Sequence, residues 1–245
     1  TNLPCILEPA WPRKRPMTNR FLRAGAFGRM AAVDCGTDIP LQDWALPGEP
    51  FRLAAVNLAA ADWSARLPAD AQARAARFTD PAARARAGAS EWFKACWLPR
   101  ELGLERVEWK TGAHGKPRLA RAAAGWGFNL SHAGDYVVAA LAQGAAIGVD
   151  LESLARKADV DALGERVFSE SERTLAREGG RAAFFALWSQ KEALLKALGC
   201  GWANGNVVRN TRLELADFQT EPTTRVQVWS RRVLAGTYAL AVAIF

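Results

Sequence analysis

Hydrophobic and polar positions along the chain predict strands and helices in turn. FRLAAVNL at 51–58 predicts a strand, and DAQARAARF at 70–78 predicts a helix with arginines on one side. Asp80 is a predicted N-cap and Pro81 a first-turn residue, so a longer helix is predicted over DPAARARAGASEWFKACWL. RVEWK at 106–110 predicts a short strand. The first fifty residues, rich in Pro and Gly, predict irregular structure.

The middle of the chain has the alternation and the turns of consecutive antiparallel strands. GFNLSHAGDYVVAALAQGAAIGVDLE predicts a short strand, a turn at SHAGD, a strand over 136–142, a turn at Gln143–Gly144 and a strand into GVDLE. SESE opens a helix, RAAFFALWSQKEALLKALG predicts a strong one, and Gly199 ends it. Further strands are predicted near RVQVWS and TYALAVAIF.

The two halves of the chain have the same order of elements, a strand followed by helices and strands. We therefore predict an α+β fold of two similar α/β lobes. The first lobe comprises residues 1–147 and the second residues 148–245, with the junction near residue 147.

Composition and charge narrow the class of partner. Half of the 245 residues are hydrophobic, which argues against global disorder. The net charge of +7 and the isoelectric point near 9.6 favour an anionic partner. Nucleic acid, an acidic protein and a phosphorylated small molecule all satisfy that requirement, and charge alone does not choose among them.

The cysteines and the N-terminal segment predict a cytoplasmic location. The four cysteines lie far apart without a CxxC pair, so we expect reduced thiols. Arginines interrupt FLRAGAFGRMAAV, which therefore lacks the core of a signal peptide. No apolar run reaches the roughly 18 to 20 residues that span a bilayer, so no membrane partner is expected.

The segment GVDLE at 148–152 ends a long apolar run with two carboxylates. A strand alternates sides with a period of two, so Asp150 and Glu152 are predicted to share one face. Like charges there repel unless a cation or a shared ligand lies between them. A charged strand end exposed to solvent is the alternative interpretation.

A third carboxylate lies on the strong helix. With about 100° per residue, Phe185, Trp188, Glu192 and Lys196 fall within roughly 80° of arc. An ordinary surface pair of Glu192 and Lys196 is the alternative. The chain has only two histidines, so three carboxylates would form an oxygen-rich set that suits Mg²⁺, with substrate phosphates completing its ligands. A phosphate-ester or pyrophosphate substrate agrees with the basic composition.

Five ordered blocks carry a resemblance to a known family. GVDLE, FSESE at 168–172 and WSQKEALLKALG at 188–199 resemble the pattern of the Sfp-type 4′-phosphopantetheinyl transferases. GKPRL at 115–119 and FNLSH at 128–132 match two further family blocks in the right order. The resemblance covers about residues 74–199 and implies a pseudo-dimeric fold, usually monomeric, with the active site in the cleft between two lobes.

The resemblance implies an enzyme that moves phosphopantetheine from coenzyme A to a serine of an acyl or peptidyl carrier protein, as a holo-acyl-carrier-protein synthase does. Adenosine 3′,5′-bisphosphate is released. The acidic carriers of fatty acid, polyketide or nonribosomal peptide synthesis would be steered by the basic surface near the helix after Phe168. Coenzyme A is then a substrate and Mg²⁺ the cofactor, with Mn²⁺ as the alternative ion.

The resemblance also assigns individual residues. Asp150, Glu152 and Glu192 would hold the metal, and Glu192 would also be the general base. Lys196 and His132 would contact the phosphates and offset the charge that develops on the bridging oxygen. Lys191 and Ser131 would help to position the phosphates, and Lys116 would lie near the adenosine nucleotide. Arg77 and Arg86 are implied at the 3′-phosphate, although GASEWFKACWLPREL departs there from the commoner arginine-rich pattern.

Several of these residues have structural alternatives. Ser169 and Glu172 fit a helix capping box, which we expect to be the main role of Glu172. His132 could be a structural turn histidine, and Lys116 a solvated loop lysine.

Two other classes of function remain open at this stage. A Mg²⁺-dependent phosphoesterase or nuclease would hydrolyse nucleotides or DNA without an acceptor protein. A nucleic-acid-binding protein would carry arginines and aromatic platforms on one face and would tolerate loss of Asp150. Because the arginines are spread over several helices, we expect no nucleic-acid partner.

Overall fold

Two four-stranded antiparallel sheets form the centre of the molecule. The computed structural model describes residues 39–44, 48–111, 117–199, 217–221 and 224–245. The first sheet has the order β1-β2-β6-β5 and the second the order β7-β10-β9-β8. The strands of the first sheet are β1 Gln42–Asp43, β2 Arg52–Asn57, β5 Trp126–Ala133 and β6 Tyr136–Gln143. Those of the second are β7 Ile147–Ser153, β8 Asp217–Glu221, β9 Thr224–Val233 and β10 Tyr238–Ile244. A separate ribbon pairs β3 Trp109–Thr111 with β4 Pro117–Leu119.

The two sheets pack face to face through alternate residues of their inner strands. One buried cluster joins side chains of β2 and β6 to side chains of β7 and β10. Because side chains of a strand alternate between faces, the intervening residues face outward, toward the helices. The inner cluster includes Leu53, Ala55, Val138, Ala140, Val149, Leu151, Leu240 and Val242.

Helices cover the outer face of the first sheet. They are α1 Ala69–Ala75, α2 Pro81–Trp92 and α3 Leu98–Leu102, and a π-helical turn over Phe93–Trp97 joins α2 to α3. The Asp80 side chain accepts a hydrogen bond of 2.7 Å from the Ala83 amide, which confirms the predicted N-cap. Tryptophan and phenylalanine side chains pack this layer onto the sheet, among them Trp63, Trp92, Phe93 and Trp97.

Two helices cover the outer face of the second sheet. They are α4 Val160–Val167 and α5 Glu170–Leu198, and α5 is broken at Gly180, where φ is 64° and ψ is −157°. Ser169 and Glu172 form the predicted capping box, and the left-handed Gly199 ends the helix as predicted. From one side to the other, the layers are helices, sheet, sheet and helices.

The structure confirms the mixed α and β character and sharpens several boundaries. Every strand of the first sheet precedes residue 144, and every strand of the second follows residue 146, so the predicted junction falls at the start of β7. Helix α1 ends earlier and strand β3 begins later than predicted. The proline-rich residues before 39 lie outside the described residues.

Two further expectations can be compared with the structure. Cys96 was expected to be a reduced thiol, but it is disulfide-bonded, with a partner outside the described residues. Within the described part of the chain, no helix is long and apolar enough to cross a bilayer.

Gly148 allows β7 to approach α5 closely. A Cβ atom at this position would lie 2.0 Å from the carbonyl oxygen of Ala193 and 2.4 Å from the amide nitrogen of Ala197. Both atoms belong to the helix backbone, which cannot move aside as a flexible side chain could. The glycine therefore sets the distance between the strand and the helix.

Gly148→Ala is expected to lower the free energy of unfolding by about 2 to 3 kcal/mol or more, because the added methyl group forces the strand and helix apart. Urea denaturation measures the change. Gly125→Ala is the control, since nothing lies within 4 Å of its Cβ position, and it should change stability by no more than about 0.5 kcal/mol. Equal stabilities for the two variants would contradict the close packing described.

Candidate active site

One face of β7 carries Gly148, Asp150 and Glu152 toward α5. Gly148 lies against the helix backbone, and the period of two places the two acids on the same side. Val149 and Leu151 point the other way, into the core between the sheets. Both carboxylates are largely buried, so each needs a compensating partner.

Asp150 is held through one of its two carboxylate oxygens. Lys196 Nζ donates to Oδ1 at 2.7 Å, and the Ser131 hydroxyl donates to the same atom at 3.0 Å. The other oxygen, Oδ2, is buried and has no hydrogen-bond partner among the described residues. A buried carboxylate oxygen without a donor is a favourable ligand for a cation.

Burial raises the pKa of Asp150 from its ordinary value of 3.8 to about 6. The positive charge and hydrogen bond of Lys196 oppose that rise, whereas the nearby negative charge of Glu152 adds to it. Lys196 therefore compensates only part of the cost of burying this carboxylate.

Glu152 is also paired with a cation. Arg156 Nη1 donates to Oε1 of Glu152 at 2.7 Å, and the Arg156 guanidinium lies 5.9 Å from the centre of the Trp188 ring. Among the described residues, no group of three or more His, Cys, Asp or Glu side chains is arranged to hold a metal ion. Lys196 and Arg156 pair with the first two of the three predicted acids, so the shared metal site of Asp150, Glu152 and Glu192 stays a prediction.

Glu192 lies one helical turn before Lys196 on α5 and is half-buried. Gly148, near the start of β7, lies against Ala193 and Ala197 near the end of α5. Leu154, just after the end of β7, accepts a hydrogen bond from Arg181, which lies earlier on α5. The strand and the helix therefore run in opposite directions, and Glu192 lies along the part of α5 that faces the β7 acids.

A positive cluster lies beside the acids. Partial loss of solvation and the positive charges of Arg86 and Lys196 lower the pKa of His132 from its ordinary value of 6.5. His132 is on β5, Arg86 on α2 and Lys196 on α5, so three elements bring these groups together. Cationic and hydrogen-bonding side chains from separate elements form a favourable site for phosphate groups.

Comparison with known proteins bears on this arrangement. A family model of the 4′-phosphopantetheinyl transferase superfamily matches residues 146–243, which include β7 and α5. The 4′-phosphopantetheinyl transferase HetI of Nostoc sp. is 36% identical over 169 residues, covering 66% of this chain and 69% of that protein. The chain belongs to the 4′-phosphopantetheinyl transferase superfamily. The predicted enzyme class is confirmed by this membership.

Other superfamily members align over shorter stretches. The 4′-phosphopantetheinyl transferase psf-1 of Bacillus pumilus is 39% identical over 108 residues, or 42% of this chain and 45% of that protein. The 4′-phosphopantetheinyl transferase AcpT of Salmonella typhimurium is 34% identical over 118 residues, or 43% of this chain and 59% of that protein. For these two relatives, the match spans roughly half of their length.

Two residues predicted to help position the phosphates have other partners in this superfamily member. Lys191 is completely buried, and its ammonium lies 3.0 Å from Oε1 of Glu172 and 6.0 Å from the centre of the Phe168 ring. A side chain enclosed in this way cannot contact a nucleotide, so its predicted cofactor-binding role is corrected to a structural one. Burial lowers the pKa of Lys191, and Glu172 opposes that effect.

Ser131 is likewise committed to the protein. Its hydroxyl donates to Asp150 Oδ1 and accepts from Lys196 Nζ and the Leu151 amide. Its predicted part in positioning the phosphates would therefore act through Asp150 and Lys196.

The remaining predicted residues are placed as follows. Arg77 is exposed just beyond α1. Lys116 lies outside the described residues. Sequence reasoning assigned no role to Arg156 or Asn129. Asn129 lies two residues before Ser131 on β5, so strand alternation could have predicted that both share one face. Arg156 follows β7 in a turn, where no such pattern exists.

The pH dependence of stability tests the environment of Asp150. Its folded pKa lies above its unfolded value, so the stability it contributes is complete below about pH 3.8 and is lost as pH rises through about 6. In EDTA, the difference in unfolding free energy between wild type and Asp150→Asn should fall by roughly 3 kcal/mol from pH 3.5 to pH 7.5. Urea titrations across that range measure it. Asp135→Asn, in an exposed turn, is the control; a flat difference for Asp150→Asn would refute the assigned environment.

Proposed function

We propose that this protein is an Sfp-type enzyme that transfers 4′-phosphopantetheine from coenzyme A to a serine of an apo acyl or peptidyl carrier protein. The observation that carries the proposal is the junction of opposite charges around Lys196. Asp150 presents a buried oxygen without a partner on one side, and His132 and Arg86 lie on the other. A pyrophosphate bound through a divalent ion needs both kinds of group.

The positive cluster is the proposed site for the phosphates of coenzyme A. Arg86 offers a guanidinium to the 3′-phosphate, and His132, whose pKa is lowered by burial and by the charges of Arg86 and Lys196, offers a hydrogen bond. Lys196 Nζ donates to Asp150 Oδ1, Ser131 Oγ and the Val149 carbonyl oxygen, so its proposed role is to offset, by its positive charge, the negative charge that develops on the bridging oxygen.

The acids fit a magnesium ion, with manganese as the alternative. Mg²⁺ is bound by one or two carboxylates together with substrate phosphates, so a complete protein cage is not required. Asp150 Oδ2 is available to it, Glu152 lies on the same face, and Glu192 lies on the facing stretch of α5. When bound, the ion supplies charge that stabilises the pyrophosphate during bond cleavage.

Glu192 is the proposed general base. The serine hydroxyl of the carrier attacks the phosphorus that bears the pantetheine arm, and its proton passes to Glu192 directly or through a water molecule. A new bond forms between serine oxygen and phosphorus, while the bond from that phosphorus to the bridging oxygen breaks. Adenosine 3′,5′-bisphosphate leaves with the electron pair of that bond.

The carrier is proposed to bind in a cleft between the two lobes, near the start of α5 after Phe168. Arg173 and Arg177, on the first turns of α5, share Glu170 as their ion-pair partner, and Arg156, in the turn after β7, pairs with Glu152. Because two arginines share one carboxylate, the remaining positive charge would steer an acidic carrier toward the site. One chain contains the whole set of acids, so we propose that a monomer is active.

Mass spectrometry of the carrier tests the function. With coenzyme A and Mg²⁺, an apo carrier should gain the mass of one phosphopantetheine group. Glu192→Gln should lower kcat by about 100-fold or more, because general-base catalysis typically contributes that much. No mass gain across several acyl and peptidyl carriers would reject the proposal. Hydrolysis of coenzyme A without transfer would indicate a phosphoesterase instead.

The assignment of the 3′-phosphate site makes a separate prediction. Arg86→Ala should raise KM for coenzyme A by roughly tenfold, because a charge-assisted contact is lost. It should leave KM for 3′-dephospho-coenzyme A almost unchanged. Arg84→Ala is the control, because this neighbouring arginine donates to the carbonyl oxygen of Phe78. Equal effects on the two substrates would place Arg86 elsewhere on the nucleotide.

A further inference from the structure

Strand β5 lies beside β7 and contacts it through side chains rather than through a main-chain ladder. Asn129 Oδ1 accepts a hydrogen bond of 2.9 Å from the Val149 amide. Ser131 Oγ accepts one of 3.2 Å from the Leu151 amide. One step earlier, a Cβ atom on Gly127 would lie 2.2 Å from the Ala145 carbonyl oxygen, so the two backbones come close there.

These contacts satisfy the exposed edge of β7. Strand β7 ends the order of the second sheet, so only β10 pairs with it. Amides on the other edge need acceptors, because an unpaired buried amide is costly. Asn129 and Ser131 supply the acceptors, and the two amides that they bind belong to the residues on either side of Asp150.

Ser131 also determines which oxygen of Asp150 is available. A hydroxyl group can donate one hydrogen bond and accept two. Ser131 donates to Asp150 Oδ1 and accepts from the Leu151 amide and from Lys196 Nζ. Its capacity is therefore fully used, and Oδ1 is occupied by Ser131 and Lys196 while Oδ2 remains without a partner.

We propose that Asn129 and Ser131 are positioning residues for the transfer reaction, acting from the first sheet on the metal-binding carboxylate of the second. They hold the main chain on both sides of Asp150, and Ser131, by binding Oδ1, would leave Oδ2 available to the ion. This inference rests on the proposed function. The side chains of both residues bind groups of the protein, so their effect would pass through Asp150 and Lys196.

A positioning role differs measurably from a structural one. Groups that orient a metal ligand typically change metal affinity or activity by about 10- to 100-fold when removed. Loss of a purely structural hydrogen bond would instead lower stability and leave the affinity of the folded protein for the ion unchanged. Binding of coenzyme A through Arg86 and His132 should not depend on Ser131 in either case.

The experiment compares wild type, Ser131→Ala and Ser131→Thr by calorimetric titration with MnCl₂ and by steady-state transfer kinetics. Ser131→Ala should weaken Mn²⁺ binding by about tenfold or more and lower kcat, with KM for coenzyme A changed by less than about threefold. Ser131→Thr keeps the hydroxyl and should restore both quantities to within about threefold of wild type. Asn129→Ala should act in the same direction as Ser131→Ala.

Two further variants keep the test decisive. Ser131→Cys preserves the volume but replaces the hydroxyl with a weak donor and acceptor, so it should reproduce the loss even if Ser131→Ala does not fold. Ser230→Ala is the control. Ser230 lies on β9, and its hydroxyl accepts a hydrogen bond from Gln190 of α5, so its removal should leave the Mn²⁺ affinity unchanged.

The outcomes separate this inference from the proposed function. If wild type transfers phosphopantetheine and the folded Ser131→Cys protein binds Mn²⁺ and turns over normally, the positioning role is wrong and the function stands. If wild type binds Mn²⁺ and Ser131 variants weaken that binding, but no carrier is modified, the positioning role stands and the transferase proposal fails. A wild type that binds no Mn²⁺ overturns the positioning role.

Discussion

The buried carboxylate of Asp150 is the constraint on which the rest of the site depends. Placing this charge between a strand and a helix removes it from water, and the environment compensates through only one of its oxygens. Lys196 provides the opposing charge from α5, and Ser131 provides a hydrogen bond from the first sheet. Because the donors to Oδ1 offset part of the cost of burying Asp150, the protein can fold with this charge inside. Oδ2 is still able to attract a further cation.

The architecture explains how three separate elements reach that carboxylate. Gly148 brings β7 against α5, so the lysine of the helix can cross to the strand. The side-chain contacts of β5 bring the first sheet to the other edge of the same strand. The site is therefore built where the two sheets and one helix meet, and an error in any one of these contacts would displace the same few atoms.

The sequence predicted the parts of this structure that follow from short-range periodicity. The shared face of Asp150 and Glu152, the capping box at Ser169 and the helix end at Gly199 all follow from spacing or from the preferences of one residue. Lys191 and Lys196 show where such reasoning fails. Both lie on α5, but only the packing around Phe168 and Glu172 decides that one is enclosed and the other reaches the acids. The pairing of Glu152 with Arg156 could not be predicted from the sequence either, because Arg156 lies in a turn that has no periodic pattern.

The break at Gly180 divides α5 into two rods with separate tasks. A backbone with φ of 64° and ψ of −157° is open to glycine and hardly to any other residue. The part before it begins with the capping box, whereas the part after it packs against α4 and β7 and carries Glu192 and Lys196. The length and surface charge of the part before Gly180 can therefore change during evolution to suit a different protein partner, while the part after Gly180 keeps Glu192 and Lys196 in place.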